Sequence, residues 1–377
     1  MDTNNIFKEL QEPRTLTFTS MEYDTTVKSE IYEWFQKTPF SEFYNEISKR
    51  VIGQDSLKLV LANVYNYLSG VLNGTPIKNN MLLSAPSGCG KTETYRALKD
   101  YFSKQIPSMY VYIYDVSAIT SNGFKGQDAN SILVPFFQEG IENPVGIVFL
   151  DEFDKKMVPV FCGTGENINR EVQSGMLTII EGGEVRSPKG LIVNTDKLMF
   201  VGLGSFDLYR ENRDNKPNQI GLGSEWSDKD EDHYKPLTRD DMVDAGASSE
   251  IMGRFPYIVN YERLSEESVE KIINKCVNEA AESFNLNKLV IEEPVLERLK
   301  ESANSRYGCR LIEATLKEML LKAYTNEMMN APGYGKLSMR IKDINDIKTK
   351  WEKAEFERPI TFQEQLVRDV EELESNR

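Results

Sequence analysis

The run LLSAPSGCGKTET, from Leu82 to Thr94, constrains the fold more than any other stretch of the chain. It reads as an apolar strand, a turn carrying Gly88 and Gly90, and a helix that continues to Phe102. Pro86, Gly88 and Gly90 let backbone N–H groups turn toward an anion, and the helix that follows adds its positive end. Lys91 is spaced to reach the β- and γ-phosphates of a nucleotide, and Thr92 to hold Mg²⁺. The residues expected to cradle ATP are Pro86, Ser87, Gly88, Cys89, Gly90, Lys91, Thr92 and Glu93. One position departs from the pattern G-x-x-x-x-G-K-[ST]: Ala85 stands where the first glycine belongs. With an ordinary backbone angle an alanine there costs little; with a positive one it costs about 1 kcal/mol.

A second feature lies downstream. VGIVFL, Val145 to Leu150, is a continuous apolar run, as a strand buried on both faces of a parallel sheet should be. It ends in Asp151 and Glu152, at the sheet edge where open α/β folds bind ligands. Asp151 would orient the Mg²⁺ shell, and Glu152 would polarise an attacking water. Further strands and helices alternate through Gly202, predicting a doubly wound α/β domain with a parallel sheet and helices on both faces. After Pro256 the chain turns mainly helical, predicting a small α+β domain. The expected divisions are an N-terminal region 1–48, a large domain 49–260, a small domain 261–344 and a charged tail 345–377. The large domain contains a polar insertion at 211–236. A strand is expected at 15–20 and a last helix at 361–374.

Composition removes several functions. The formal net charge is −14, which argues against a nucleic-acid partner held by electrostatics. No apolar run approaches a membrane span, and MDTNNIFKELQEP does not resemble a secretory leader, so the expected location is cytoplasmic. The four cysteines form no C-x-x-C pair, and His233 is the single histidine. Chemistry must therefore run on Lys, Arg, Asp, Glu and Thr.

Six short strings, in order, resemble the AAA+ ATPases, and within them the ClpX-type protein unfoldases. RVIGQDSLKLVL resembles the box that lines the adenine pocket, which gives Val51 and Ile52 that contact. The phosphate loop follows. EVQSGMLTIIEG resembles the helix after the acidic motif, and FVGLGSFD the sensor-1 strand, whose polar residue falls near Leu203, Gly204 and Ser205. EIMGRFP resembles the box holding an arginine finger, here Arg254, and YGCRLIEATL the sensor-2 helix, here Arg310. The resemblance implies a P-loop AAA+ large domain with a small lid domain, ATP and Mg²⁺ as ligands, and a homo-hexameric ring. In that ring Arg254 acts on the neighbouring subunit's ATP and Arg310 on its own. A guanidinium suits both roles, because its fork matches phosphate oxygens.

The resemblance also implies where work is done. SNGFKGQD resembles a pore loop in which Phe124 grips protein substrates, with Lys125 replacing an aliphatic residue. Val160 to Arg170 would form a second, polar pore loop. Ile220, Gly221 and Leu222 resemble a loop that docks on a ClpP-like peptidase. The cysteine-rich zinc module of ClpX proteins has no counterpart in residues 1–48. Three readings stay open at this point: an unfoldase feeding a peptidase, a remodeller of one protein complex working without a peptidase, and a nucleotide-dependent switch with little turnover.

Overall fold

The computed structural model describes residues 20–75, 78–120, 127–163, 165–207, 209–210, 234–303, 308–329, 336–343 and 346–352. Of the expected strand at 15–20 only Ser20 is described, as the first residue of a helix, and the expected helix at 361–374 lies outside the described residues. The chain divides into two compact units, Met1–Ser268 and Val269–Arg377.

In the first unit the strands are β1 (Met81–Ser84), β2 (Tyr110–Asp115), β3 (Gly146–Asp151), β4 (Glu184–Arg186), β5 (Ile192–Asn194), β6 (Leu198–Gly204) and β7 (Tyr257–Asn260). β4 and β5 form a small antiparallel hairpin. The other five make a parallel sheet in the order β2-β3-β6-β1-β7. Side chains alternate across a strand, so each apolar strand feeds two cores. Ile147 and Phe149 of β3 enter one, while Val148 and Leu150 enter the other. Helices α1 (Ser20–Lys37), α2 (Phe40–Ser48), α3 (Leu57–Asn73) and α4 (Lys91–Gln105) cover the first face. Helices α5 (Val134–Glu139), α6 (Phe153–Met157), α7 (Ile168–Glu181), α8 (Arg239–Asp244) and α9 (Ser249–Gly253) cover the second. This is the doubly wound arrangement predicted.

Residues 20–48 share the core of this domain. Trp34 is 2% exposed, and its ring lies 5.4 Å from Phe43 and 5.9 Å from Phe102. Its indole nitrogen donates to the Tyr101 hydroxyl at 2.9 Å. Composition sets 1–48 apart; packing joins α1 and α2 to α3 and α4, because an aromatic cluster this size needs helices from both segments to exclude water.

Helix α10 (Glu266–Ser283), which from Val269 on belongs to the second unit, is followed by β8 (Lys288–Ile291), α11 (Glu293–Ala303), α12 (Arg310–Met328), β9 (Lys336–Asp343) and β10 (Asp346–Glu352). The strands form a sheet in the order β10-β9-β8, with Leu337 and Ile341 of β9 buried, as are Leu316 and Leu320 of α12. The expected boundary at 344 is corrected here: it cuts the β9–β10 hairpin, and the presumed tail begins with a strand. Ile347, Thr349 and Trp351 are half-buried while Lys348 and Lys350 face out. Charge on the outward face of an edge strand is a common protection against pairing, and it disguised the two-residue period. No helix among the described residues is long and apolar enough to cross a membrane.

Candidate active site

Because the five strands are parallel, β1, β6 and β3 deliver their carboxyl ends to one edge of the sheet. β1 runs into the glycine-bearing loop, β3 ends at Asp151, and β6, between them, ends at Gly204. The sheet thus places the loop and the acidic pair on either side of the β6 exit.

Gly88 and Gly90 have φ of +81° and +96°, angles that exclude most other residues. Ala85 is absent from the positive-φ residues. It is fully buried, continues the sheet by donating its N–H to the Gly204 carbonyl at 3.3 Å, and offers its own carbonyl to the Lys91 ammonium. The missing glycine therefore costs no strain, and one motive for a low-turnover switch falls away. Ala85→Gly is expected to leave ATP affinity unchanged and to lower stability by about 0.5–1 kcal/mol, read from a denaturant melt; tighter ATP binding in the variant would count against this geometry.

The loop is fastened from several sides. Gln54, 4% exposed, donates to the Cys89 carbonyl and to the Glu262 carbonyl, both at 3.1 Å. Its own carbonyl accepts from the Glu262 N–H at 2.9 Å. Val51 is buried beside the loop: a Cβ at Gly90 would stand 3.9 Å from its Cγ1. Val51, one of the two residues expected at an adenine pocket, thus stands beside the loop on the segment that Gln54 pins, and Ile52 follows it, half-buried. Glu93 does something not expected of it: its carboxylate accepts from Arg50 Nε at 2.6 Å, tying α4 to that segment. Thr94 Oγ1 meets the Tyr261 hydroxyl at 2.7 Å. Lys91 Nζ also reaches the Pro86 carbonyl at 3.0 Å, so its ammonium lies within the loop it serves. Two left-handed glycines, a lysine inside the loop and a helix N-terminus fit a nucleotide's phosphates. Thr92, in the first turn of α4, and Asp151, the last residue of β3, stand at the same carboxyl edge of the sheet; Mg²⁺ is commonly held by one or two carboxylates together with substrate phosphates.

At the acidic strand, Asp151 Oδ1 accepts from the Glu152 N–H at 3.0 Å. Glu152 is left-handed, with φ 53° and ψ 31°. Its neighbours impose that angle. Phe153 is fully buried and lies 5.1 Å from the Phe255 ring. Asp154, 4% exposed, accepts from the Phe206 N–H at 3.0 Å. The chain must turn sharply to keep Asp151 in the strand and Phe153 in the core, and that turn presents Glu152 outward. Partial burial, then the nearby Asp154, Asp151 and Asp115 carboxylates, hold the Glu152 carboxyl above the usual range, against an opposing pull from Lys155.

Arg254 lies at the other edge. It follows α9 and precedes β7, whose Tyr257 pairs with Met81 at the start of β1. Its guanidinium is exposed and meets the Glu181 carboxylate at 2.6 Å. Asn80, 1% exposed, fixes its backbone, donating to the Arg254 and Ile180 carbonyls at 3.1 Å and accepting from the Phe200 N–H at 2.9 Å. Arg310 is exposed in the first turn of α12, in the second unit. Phe124, Lys125, Ile220, Gly221 and Leu222 lie outside the described residues. The backbone flanking 121–126 is paired, Thr120 N–H to the Gln127 carbonyl at 2.9 Å. Val160 to Arg170, expected to form a second, polar pore loop, exposes Phe161 (67%) and Val160 (47%) beside the Phe161–Asn167 bridge.

Sequence reasoning missed Gln54, Asn80, Asp154 and Arg210 as site-building residues. Each is a buried polar side chain with at least one partner remote in sequence, and no local spacing announces that.

Comparison with known proteins agrees with this geometry. Residues 76–258 match the model of the AAA domain (Cdc48 subfamily). The chain is 27% identical over 335 residues to the ATP-dependent Clp protease ATP-binding subunit ClpX of Treponema denticola, covering 77% of each protein. The AAA-domain match and the likeness to ClpX together support a divergent, ClpX-like AAA+ ATPase.

Proposed function

We propose that this ATPase is the subunit of a homo-hexameric ring that pulls polypeptide through a central pore. The placement of Arg254 carries the reading. The phosphate loop leaves the carboxyl edge of β1, whereas Arg254 enters at the amino edge of β7, about 13 Å of strand away. There the guanidinium is exposed, pairs with Glu181 at the end of α7 and is open to a neighbouring subunit. A ring, in which each subunit completes the next subunit's site, gives it a phosphate to meet.

In that ring Lys91 and the loop amides hold the phosphates, and Glu152 takes the proton of the attacking water. Thr92 and Asp151 would hold Mg²⁺, which would supply positive charge against the phosphates. Arg310, from the small domain, responds to the nucleotide of its own chain, so that turnover moves the two domains. Phe124, flanked by Gly123 and Lys125, would convert that motion into a grip on substrate. Ile220, Gly221 and Leu222 would dock a ClpP-like peptidase. The location proposed is the cytoplasm.

The test uses tagged Glu152→Gln purified from its host in ATP. Sedimentation at the mass of a hexamer, with a retained polypeptide that is lost when Phe124→Ala is added, is the expected result. A monomer, or a client held equally well without Phe124, would sink the threading reading. Peptidase subunits that disappear on deleting 220–222 separate a proteolytic machine from a stand-alone remodeller.

A further inference from the structure

Arg210 is the largest of the fully buried side chains in the described residues, at 1% exposure. Its three nitrogens reach three segments of the chain. Nη2 donates to Ser84 Oγ at 2.8 Å, Nε to the Ser205 carbonyl at 3.1 Å, and Nη1 to the Lys235 carbonyl at 3.0 Å. Ser84 is the last residue of β1, directly before Ala85 and the phosphate loop. Ser205 follows β6, and its hydroxyl donates to Asp154 Oδ2 at 3.3 Å, the same oxygen that receives the Phe206 N–H. Asp154 lies in the turn that presents Glu152. One connected set of hydrogen bonds therefore runs from the base-bearing turn, through Asp154, Ser205 and Arg210, to the entrance of the phosphate loop.

A buried guanidinium is costly to desolvate, and an apolar residue of similar size serves packing as well or better. What the fork supplies that an apolar side chain cannot is fixed geometry between several acceptors. We propose that Arg210 is a positioning residue for ATP hydrolysis, holding the phosphate loop through Ser84 in register with the Glu152 turn through Ser205 and Asp154. The sensor-1 element, for which the sequence offers only Leu203, Gly204 and Ser205, is on this proposal a relay in which Ser205 is the polar link and Arg210 the brace. Its charge also reaches the loop: burial pushes the Cys89 thiol up, while Lys91 and then Arg210 pull it back.

The proposal rests on the assignment of residues 85–92 as the phosphate loop, which Lys91→Ala checks separately. If that variant binds a fluorescent ADP analogue as tightly as the parent, the loop assignment fails, whatever Arg210 does. With the loop assignment secured, Arg210→Gln is expected to bind the analogue within about threefold of the parent, with kcat lowered on the order of 10²-fold, the cost of a misplacement near 1 Å. Arg210→Lys keeps the charge and loses the fork, so it should recover little of kcat. Ser84→Ala removes one acceptor and leaves a buried Nη2–H unpaired; it should lower kcat about fivefold with analogue affinity kept, beside a modest fall in melting temperature. An unchanged kcat in Ser84→Ala or in folded Arg210→Gln overturns the proposal. So does a fall in analogue affinity and melting temperature that matches the fall in kcat, because that is the mark of a purely structural residue.

Discussion

Glu152→Gln binds ATP as the parent does and hydrolyses it about 10³-fold more slowly, within the span assigned to a general base. Glutamine keeps the size and the left-handed turn of Glu152, so Asp151, Phe153 and Asp154 should stay in place. What it loses is the acceptor for the water's proton. Partial burial, with the neighbouring carboxylates after it, raises the carboxyl pKa; this makes Glu152 a stronger base once ionised and gives the parent a recognisable acid limb. The parent rate should fall as the pH drops through that raised value, since protonation removes the base. The residual rate of Glu152→Gln should lack this limb. Glu152→Gly separates the chemistry from the backbone. It relieves a left-handed angle that costs a non-glycine residue about 1–2 kcal/mol, so it should be inactive and yet melt higher than the parent. Stopped-flow phosphate release across pH, with calorimetric melts, reads all three. A Glu152→Gln rate near that of the parent would move the base elsewhere. A Glu152→Gly protein less stable than the parent would mean that the turn stores no strain.

Much of this site was legible in the sequence because its parts are local. A strand, two glycines and a lysine within thirteen residues specify the phosphate loop, and an apolar run ending in two carboxylates specifies the acidic turn. The two-core sheet follows from the same apolar strands, since VGIVFL has nothing polar to give either face. The positioning groups were not legible. Asn80 precedes β1 like any loop asparagine, yet it gathers Ile180, Phe200 and Arg254. Arg210 borders a polar, acidic insertion and reads as part of it, yet it is buried against a strand 126 positions away. Such groups are chosen by long-range partners once the sheet has formed, and a buried polar side chain without them would be destabilising. The N-terminal helices illustrate the converse. SEIYEWFQKTPFSEFYNEI advertises helices and aromatic faces, but only the fold shows that Trp34 completes the core over Phe102.

The placement of Arg254 leads to the second large effect. Arg254→Ala should lower kcat roughly 10³-fold or more, as the removal of an arginine finger does, while leaving each subunit able to bind nucleotide. The loss should also be transferable between subunits. Lys91→Ala protein cannot hold ATP well but still offers a finger; Arg254→Ala protein holds ATP and offers none. Each is expected to be nearly inactive alone. Mixed before assembly, an Arg254→Ala site that faces a Lys91→Ala neighbour receives an intact guanidinium, so activity should return and pass through a maximum as the mixing ratio varies. A finger acting within its own chain predicts no recovery at any ratio. The Glu181 contact separates a finger from a surface ion pair. Exposed pairs of this kind are worth at most about 1 kcal/mol, and Glu181→Gln removes the carboxylate charge while leaving Arg254 in place. If Arg254 serves only that pair, Glu181→Gln and Arg254→Ala should behave alike. If it serves the neighbour's phosphate, Glu181→Gln keeps most of the parent's turnover and Arg254→Ala does not.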